Sequence, residues 1–297
     1  MIPMVAIRRV SIALAIGAVL WLPARAQENQ VIYEARSRYQ LITVRDTSNG
    51  YRQLIFDGKF DGTDAVQSEM NLSDHYELSL SYARHIMTAL PLVEKPLRIL
   101  VVGLGGACMQ RYLHKLLPDA TIETAELDPM IRDVATSYFF FKEDARQIVR
   151  LGDGRKFIEG SKDKYDIIFL DAFTAESIPY QLTTQEFLRA VKDHVAAGGV
   201  VCANLWDGAS DYLDILKTYS TVFPELRVVK CAFSGNAILV ALPAKAGLTV
   251  QAWTSKAEAF EKAHPTGLDL PRLIERGASE ALPVLTNARV LLDKNKD

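Results

Sequence analysis

The stretch from Leu97 to Asp128, which reads LRILVVGLGGACMQRYLHKLLPDATIETAELD, decides the fold. It contains an apolar strand, a glycine-rich turn, a segment with helical spacing of apolar residues, and a second apolar strand that ends in acids. Near-continuous apolar strands joined by helices are typical of a parallel sheet that is covered on both faces. Glycine lets the backbone turn sharply and lets a ligand approach it closely. The stretch therefore predicts the first strand–helix–strand unit of a Rossmann-like sheet.

The same alternation continues towards the C-terminus. The predicted strands are Leu97–Val102, Thr121–Glu126, Gln147–Leu151, Tyr165–Leu170, Val200–Leu205, Arg227–Phe233 and Asn236–Leu242. The predicted helices between them are Cys108–Leu117, Pro129–Phe139, Arg155–Gly160, Thr184–Val195 and Asp211–Phe223. The last two strands are nearly adjacent in sequence, which predicts an antiparallel edge pair. The sequence thus predicts an α/β fold with a seven-stranded, mostly parallel sheet.

A smaller unit precedes this sheet. Tyr39–Val44 and Tyr51–Phe56 read as strands joined at Asn49-Gly50, which readily takes positive φ. Apolar residues at helical spacing predict a helix over His75–Leu90, with Ser73 near its start. We therefore predict an N-terminal β-hairpin unit with a linking helix over residues 27–95. A Rossmann-like domain over 96–248 and a helical tail over 249–297 follow it.

The first 26 residues have the features of a signal peptide. Arg8 and Arg9 precede the uncharged run Val10–Leu22, and Ala24-Arg25-Ala26 supplies a cleavage pattern of small residues. The run is shorter than the roughly 20 residues that span a bilayer. An uncleaved membrane anchor is the alternative. We expect an exported protein, periplasmic or secreted, without a membrane segment after cleavage.

The composition excludes several classes of protein. The chain has 297 residues, 34 Lys and Arg against 36 Asp and Glu, and 49% apolar residues, which is ordinary for a globular protein. It has no basic footprint, so we expect no nucleic-acid partner. Cys108, Cys202 and Cys231 show no CxxC spacing, so the sequence offers no zinc site.

The candidate ligand residues follow the predicted strands. Ligands of open α/β sheets bind outside the carboxyl ends of the strands. Four consecutive strands finish in glycine or acid, namely in Gly103 with Gly105, in Glu126 with Asp128, in Asp153 with Gly154, and in Asp171. Glu126 is placed to accept hydrogen bonds from ribose hydroxyls, while Asp128 is placed to cap the next helix. The pattern predicts a nucleoside pocket with a carboxylate beyond it. It lacks a GxxxxGK[ST] loop, and Gly-Asp-Gly is foreign to the NAD fingerprint.

Six short motifs stand in order along this region, namely Tyr39–Val44, Phe56-Asp-Gly58, Val102–Gly106, Ala125–Asp128, Gly152–Phe157 and Tyr165–Asp171. In this order and at this spacing the chain resembles the spermidine synthases, or polyamine aminopropyltransferases, from about Tyr39 to Leu242. The resemblance implies a sheet of the S-adenosylmethionine-dependent methyltransferase type, a role in polyamine biosynthesis and a homodimer.

The resemblance also implies residue roles. Gln40 would contact the thioadenosine of the donor, Glu126 the ribose and Asp153 with Gly154 the adenine, and Asp171 would be the general base. The implied reaction moves an aminopropyl group from decarboxylated S-adenosylmethionine to a small amine and releases methylthioadenosine. It needs no metal and no permanently bound cofactor.

Three departures from the family pattern leave the reaction open. Gly106 stands where the family has an Asp for the donor's amine, and Asp171 is followed by Ala-Phe-Thr-Ala without a second Asp. The family's Tyr-His-Glu reads His75-Tyr76-Glu77, with the aromatic and polar positions exchanged.

Two alternatives follow from these departures. One is a methyltransferase that uses intact S-adenosylmethionine, with room for the donor carboxylate at Gly106. The other is a non-catalytic binding module that keeps the fold. Asp207 and Asp211 are candidates to replace the missing acid or to cap the following helix.

Overall fold

The computed structural model describes residues 29–60, 63–174 and 177–293. The predicted signal peptide lies outside these residues, so cleavage and export stay predictions. Within the described ranges, no helix is both long and apolar enough to cross a membrane. The chain forms two sheets, a small antiparallel one at the N-terminus and a larger mixed one behind it.

The N-terminal sheet has four strands where the sequence predicted a hairpin. The strands follow one another in the order β1 (Gln30–Arg36), β2 (Leu41–Asp46), β3 (Tyr51–Phe60) and β4 (Thr63–Asn71). The predicted hairpin of β2 and β3 is confirmed. The two flanking strands were missed because they are edge strands, and polar residues interrupt their sequences, QVIYEAR and TDAVQSEMN.

The helix predicted over His75–Leu90 is wrong. Only α1 (Ser81–His85) is α-helical there, and a 3₁₀ segment, Ile86–Leu92, continues it. Ser73 lies in a turn in which its backbone N–H donates to the Asn71 side chain at 2.8 Å. Two further features distinguish the segment Ile86–Leu92 from an α-helix. The Thr88 carbonyl accepts the indole N–H of Trp253 at 2.8 Å, and Pro91 has no backbone N–H to donate. Helical spacing of apolar residues alone could not reveal either effect.

The large sheet carries the site. Its strands are β5 (Arg98–Val102), β6 (Thr121–Glu126), β7 (Gln147–Leu151), β8 (Tyr165–Leu170), β9 (Val195–Trp206), β10 (Glu225–Lys230), β11 (Asn236–Leu242) and β12 (Ala278–Ser279). Their spatial order is β12-β10-β11-β9-β8-β5-β6-β7, so the chain reverses direction across the sheet between β5 and β8. Strands β5 to β9 are parallel, and the predicted antiparallel pairing of β10 with β11 is confirmed.

The predicted strand count of seven was too low by one. Ala278 and Ser279 add β12 to the outer edge of β10. Two residues are too short to show a strand period, so no sequence pattern could predict this strand.

Helices cover both faces of the large sheet, as predicted. They are α2 (Cys108–Leu116), α3 (Pro129–Tyr138), α4 (Gly154–Gly160), α5 (Gln185–Asp193), α6 (Tyr212–Val222), α7 (Val250–Ala263) and α8 (Leu270–Gly277). Helices α2, α7 and α8 bury apolar side chains on one face, and α4, α5 and α6 on the other. The N-terminal sheet packs on α3, where Ile42 and Leu54 join Phe139 in a third apolar cluster.

The last described residues form an extended segment, which we call the C-terminal strap (residues 282–293). It crosses α5 and α6, where the Leu291 N–H donates to the Thr218 hydroxyl at 2.9 Å. The Leu292 carbonyl accepts the Tyr180 hydroxyl at 2.9 Å, and the Asp293 carboxylate binds both terminal nitrogens of Arg155. The strap therefore fastens the 3₁₀ turn Tyr180–Leu182 to the body of the molecule.

Candidate active site

A cavity of about 800 Å³ opens at the carboxyl ends of the parallel strands, between the large sheet and the N-terminal sheet. Its position at the reversal between β5 and β8 is where open α/β sheets bind ligands. The structure brings all the sequence-predicted site residues to the wall of this cavity, namely Gln40, Gly103, Gly105, Glu126, Asp153, Gly154 and Asp171. Their individual roles toward a ligand stay predictions.

The glycine turn lets β5 and β8 approach each other at the cavity floor. Gly103 has φ of 106°, and a Cβ there would lie 2.3 Å from the Asp171 carbonyl oxygen. The Asp171 backbone N–H donates to the Val102 carbonyl at 2.9 Å, which joins the two strand ends. A side chain at Gly103 would therefore push Asp171 out of place.

Glu126 is buried, and backbone groups hold both of its carboxylate oxygens. Oε2 accepts the Leu104 N–H at 2.9 Å, and Oε1 accepts the Asp128 N–H at 2.8 Å. Burial outweighs these hydrogen bonds and raises the pKa of Glu126 to about 7. Each carboxylate oxygen has a second lone pair, so the group can still accept from a ligand hydroxyl. Asp128 caps α3 by accepting the Met130 N–H at 3.0 Å, as predicted.

Asp153 and Gly154 have structural roles besides the predicted one. Asp153 is the N-cap of α4, and its Oδ1 accepts the Lys156 N–H at 3.0 Å. A Cβ on Gly154 would lie 2.6 Å from a methyl carbon of Val102, so the glycine lets α4 start close to β5. This packing brings the turn after β7 to the same cavity as the turn after β5.

Asp171 follows β8 at the centre of the cavity. Its Oδ1 accepts the side-chain N–H of Asn204 at 2.9 Å. Burial raises the pKa of Asp171 to about 7, although the hydrogen bond from Asn204 and the nearby Tyr82 hydroxyl oppose the rise. A carboxyl group that titrates near neutrality can accept a proton at physiological pH and release it again.

Sequence reasoning missed several polar and aromatic residues around Asp171. Tyr82 on α1 donates its hydroxyl to the Gln67 carbonyl at 3.1 Å and lies beside the Asp171 carboxylate. Asn236 at the start of β11 donates to the side-chain oxygen of Asn204 at 2.9 Å. Trp206 ends β9 on the same wall. The polar Asn204 within an apolar strand, just before its carboxyl end, was the signal that could have revealed this group.

Two sequence interpretations near the site are wrong. His75-Tyr76-Glu77 does not line this cavity, since the His75 ring stacks on Phe140 with centroids 4.1 Å apart and Glu77 accepts from the Asn71 side chain. Tyr82, rather than Tyr76, supplies the aromatic hydroxyl on the cavity wall.

Gly106 does not leave room for a donor carboxylate. A Cβ there would lie 2.9 Å from both Phe139 and Ser68, and its N–H donates to the Ser68 hydroxyl at 2.8 Å. The N-terminal sheet therefore fills the space at which the sequence suggested an opening.

Asp207 and Asp211 do not replace a second acid. The cavity wall includes neither residue; Asp207 pairs with Lys230 at 3.5 Å, and Asp211 precedes α6 without a side-chain cap bond. Across the described part of the chain, no group of three or more His, Cys, Asp or Glu could hold a metal ion.

This fold and cavity define a Rossmann-like α/β protein of the S-adenosylmethionine-dependent methyltransferase type. Residues 80–233 match the model of the family described as "Spermine/spermidine synthase domain", which is more than half of the chain. The chain belongs to the spermidine synthase family.

The similar proteins include transferases of two kinds. The polyamine aminopropyltransferase of Vibrio vulnificus is 33% identical over 232 residues, which cover 77% of each chain. A probable spermidine synthase from Corynebacterium glutamicum has a TM-score of 0.67 at 19% identity, with 88% of this chain and 96% of that chain covered. Human methyltransferase-like protein 13, solved in complex with SAH, has a TM-score of 0.58 at 25% identity, with 70% and 97% covered.

Proposed function

We propose that this protein transfers an aminopropyl group from decarboxylated S-adenosylmethionine to the nitrogen of a small amine and releases methylthioadenosine. The observation that carries the proposal is the half-buried Asp171 carboxylate beside Asn204. The Asp171 carboxylate lies between the turns that follow β5, β6 and β7, which we call the nucleoside turns, and the rest of the cavity. The name of the Vibrio relative, polyamine aminopropyltransferase, supports the same reaction.

The reaction requires a base at this place. An aliphatic amine with a pKa near 10.4 is mostly protonated at neutral pH and has no lone pair to attack with. Asp171 accepts the proton, the nitrogen lone pair forms a bond to the methylene carbon beside the sulfonium, and the carbon–sulfur bond breaks. Its electron pair stays on sulfur, which becomes the neutral thioether of methylthioadenosine. No further reactant is needed for balance.

The nucleoside turns orient the donor for this attack. Glu126, with both oxygens held by backbone N–H groups, would accept the ribose hydroxyls, and the cap position of Asp153 would meet the adenine. A donor fixed in this way presents its sulfonium towards Asp171. Such positioning replaces a bimolecular encounter by a reaction between held groups, which is a large part of enzymatic rate enhancement.

Methyl transfer from intact S-adenosylmethionine is the second candidate. Gly106 stands where the family has an Asp for the donor's amine, so the anion that would select a tail with an ammonium alone is missing at this position. The solved human methyltransferase-like protein with SAH bound supports this candidate.

Product analysis tests the two candidates against each other. The purified protein is incubated with each donor and a panel of primary amines, and the nucleoside product is identified by mass spectrometry. Methylthioadenosine that forms only when amine is present is the expected result. S-adenosylhomocysteine would instead establish the methyltransferase. If neither product forms while methylthioadenosine still binds in calorimetry, the protein is a binding module and both transferase proposals fail.

A further inference from the structure

We propose that the acceptor is a primary amine with a single positive charge and an uncharged, aromatic remainder, which packs against Trp206. This inference rests on the proposed function, because it describes the amine that Asp171 would deprotonate. It names a substrate class different from the diamines that polyamine synthesis uses. Three features of the cavity carry it, namely its charge distribution, a chain of two amides and a clamped indole.

The charges of the cavity lie on one side. Glu126, Asp128 and Asp153 follow β6 and β7, where each carboxylate accepts a backbone N–H. On the side of β9 and β11, the described wall residues are Asn204, Trp206, Ser234 and Asn236, with no carboxylate beyond Asp171.

Two other acids of the wall come from the N-terminal sheet, and both already have arginine partners. Asp57 pairs with Arg36 at 3.0 Å, and Asp64 pairs with Arg45 at 2.7 Å. On the side of β9 and β11, a second ammonium of a diamine would therefore meet amides and an indole of the described wall residues rather than a carboxylate without a cationic partner. A hydrogen bond to a charged group contributes about tenfold to a hundredfold in affinity, which a diamine would forgo here.

The amides form a chain that ends on Asp171. An ionised carboxylate only accepts, so Asn204 must present its NH₂ to Asp171 and its oxygen to Asn236. Asn236 in turn must present its NH₂ to Asn204. Asn236 is thus a positioning residue that fixes Asn204, and through Asn204 the carboxylate of Asp171. The two amides also mean that the groups next to the Asp171 carboxylate are neutral.

Trp206 is held in place because Gly208 and Gly235, which have no side chains, let the backbone pack directly against the indole. A Cβ on Gly208 would lie 2.7 Å from the Trp206 Nε1, and a Cβ on Gly235 would lie 2.3 Å from the far ring edge. The backbone therefore closes on the indole from two sides and leaves it little freedom to move. A fixed aromatic ring binds another aromatic ring by offset or edge contacts and adds apolar burial. Such a wall favours an aromatic amine over an aliphatic diamine.

The test measures amine binding to the protein saturated with methylthioadenosine, so that it does not depend on turnover. Calorimetry compares 2-phenylethylamine, n-butylamine and 1,4-diaminobutane at one pH. We expect 2-phenylethylamine to bind at least about tenfold more tightly than 1,4-diaminobutane, from the missing charged contact. Equal or tighter binding of the diamine, or no binding of any amine, would overturn the inference. Bound amine without product from either donor would count against the proposed function alone.

Two variants give the control. Trp206→Leu should remove the preference for 2-phenylethylamine over n-butylamine, with unchanged methylthioadenosine affinity as the check of folding. Ser234→Asp, which lies on the same wall but outside the chain of amides, should improve diamine binding about tenfold or more because it adds a carboxylate. An unchanged aromatic preference in the first variant, or unchanged diamine binding in the second, would contradict the inference.

The positioning role of Asn236 has its own readout. In Asn236→Ala, Asn204 loses its partner and donates less effectively to Asp171, so the acid limb of the pH profile of kcat should move to higher pH. A variant that only loosened the fold would lower kcat without moving this limb, and that result would contradict the role.

Discussion

The two halves of the cavity are built in different ways. In the half that we propose binds the donor nucleoside, which we call the nucleoside half, the wall is formed by the backbone turns after β5, β6 and β7, and acids such as Glu126 are held by backbone N–H groups. In the half that we propose binds the amine, which we call the acceptor half, side chains converge from distant parts of the chain. Asp171, Asn204 and Asn236 lie 33 and 32 residues apart in sequence, and Tyr82 comes from α1.

In the proposed reaction, this difference separates affinity for the donor from choice of the amine. A substitution in the nucleoside half disturbs backbone that also joins the strands, as the contact between Gly103 and Asp171 illustrates. A substitution of Asn236 or Trp206 alters the wall beside the base and leaves the turns of β5 to β7 in place. The fold can therefore keep one donor site while its acceptor site changes.

The largest expected effect comes from Asp171→Asn. The amide keeps the volume and an oxygen for Asn204, but it cannot take the proton of the amine. We expect kcat to fall about 100- to 10,000-fold, while methylthioadenosine affinity in calorimetry is unchanged. A variant with the parental rate would show that Asp171 is not the base. A loss of nucleoside affinity would show that the two halves are not separable.

The converse substitution is Glu126→Gln in the nucleoside half. One carboxylate oxygen becomes an NH₂ that faces the backbone N–H of Leu104 or Asp128. We expect the Kd for methylthioadenosine to rise about tenfold to a hundredfold, since a hydrogen bond to a charged group is worth about 1.5–3 kcal/mol. Asp128→Asn is the matched control, because the amide oxygen still caps α3. Equal losses in both variants would contradict the role of Glu126.

The pH dependence should distinguish the halves further. Only ionised Asp171 accepts a proton, so with saturating donor and amine kcat should rise with pH through about 7, the pKa to which burial raises this group. Well below that pH the rise is about tenfold per pH unit. The pH dependence of methylthioadenosine affinity reports instead on Glu126, because burial also raises the pKa of this group to about 7. A kcat limb near pH 4 would mean that Asp171 behaves as an ordinary exposed carboxyl.

The smallest effect is expected from Asp293→Asn in the C-terminal strap. The change weakens the pair with Arg155, which also donates to the Gln181 carbonyl at 3.2 Å on the cavity wall. An exposed pair contributes about 0.2–1 kcal/mol, so KM for the amine should rise at most about fivefold, with kcat unchanged. The melting temperature should fall by about 2–4 °C for each kcal/mol lost.

The control for the strap is Asp163→Asn. Asp163 pairs with Arg98 near the amino end of β8, at the opposite edge of the sheet from the cavity. This variant should leave KM for the amine unchanged. If both variants shift KM equally, the strap has no specific connection to the acceptor half.

The contrast between the halves also explains what the sequence could predict. Gly103 follows β5 directly, Glu126 is the last residue of β6, and Asp153 lies two residues after β7, so their shared edge follows from the parallel topology alone. The bounds of β6, β7, β8 and β11 were predicted to the residue. For β8 the reason is its nearly continuous apolar run, which is typical of a buried parallel strand.

The acceptor half carries no such local signal. Tyr82 looked like one apolar position of a longer helix, whereas α1 begins only at Ser81, after extended backbone at Leu80, and this start places Tyr82 beside Asp171. The pairing of Asn204 with Asn236 depends on β11 lying next to β9, an order that spacing along the chain does not reveal. Tertiary arrangement rather than local pattern decides these contacts.

The C-terminal strap gives the cavity an order of assembly during synthesis. Leu292 and Asp293 follow every described strand and helix, so they leave the ribosome after the turns of β5 to β7 have been made. The turn Tyr180–Leu182 gains its contacts with Leu292 and Asp293 only after these residues have been added. We therefore expect a growing chain to form the wall at β5 to β7 before the wall at Tyr180–Leu182 is fully fastened.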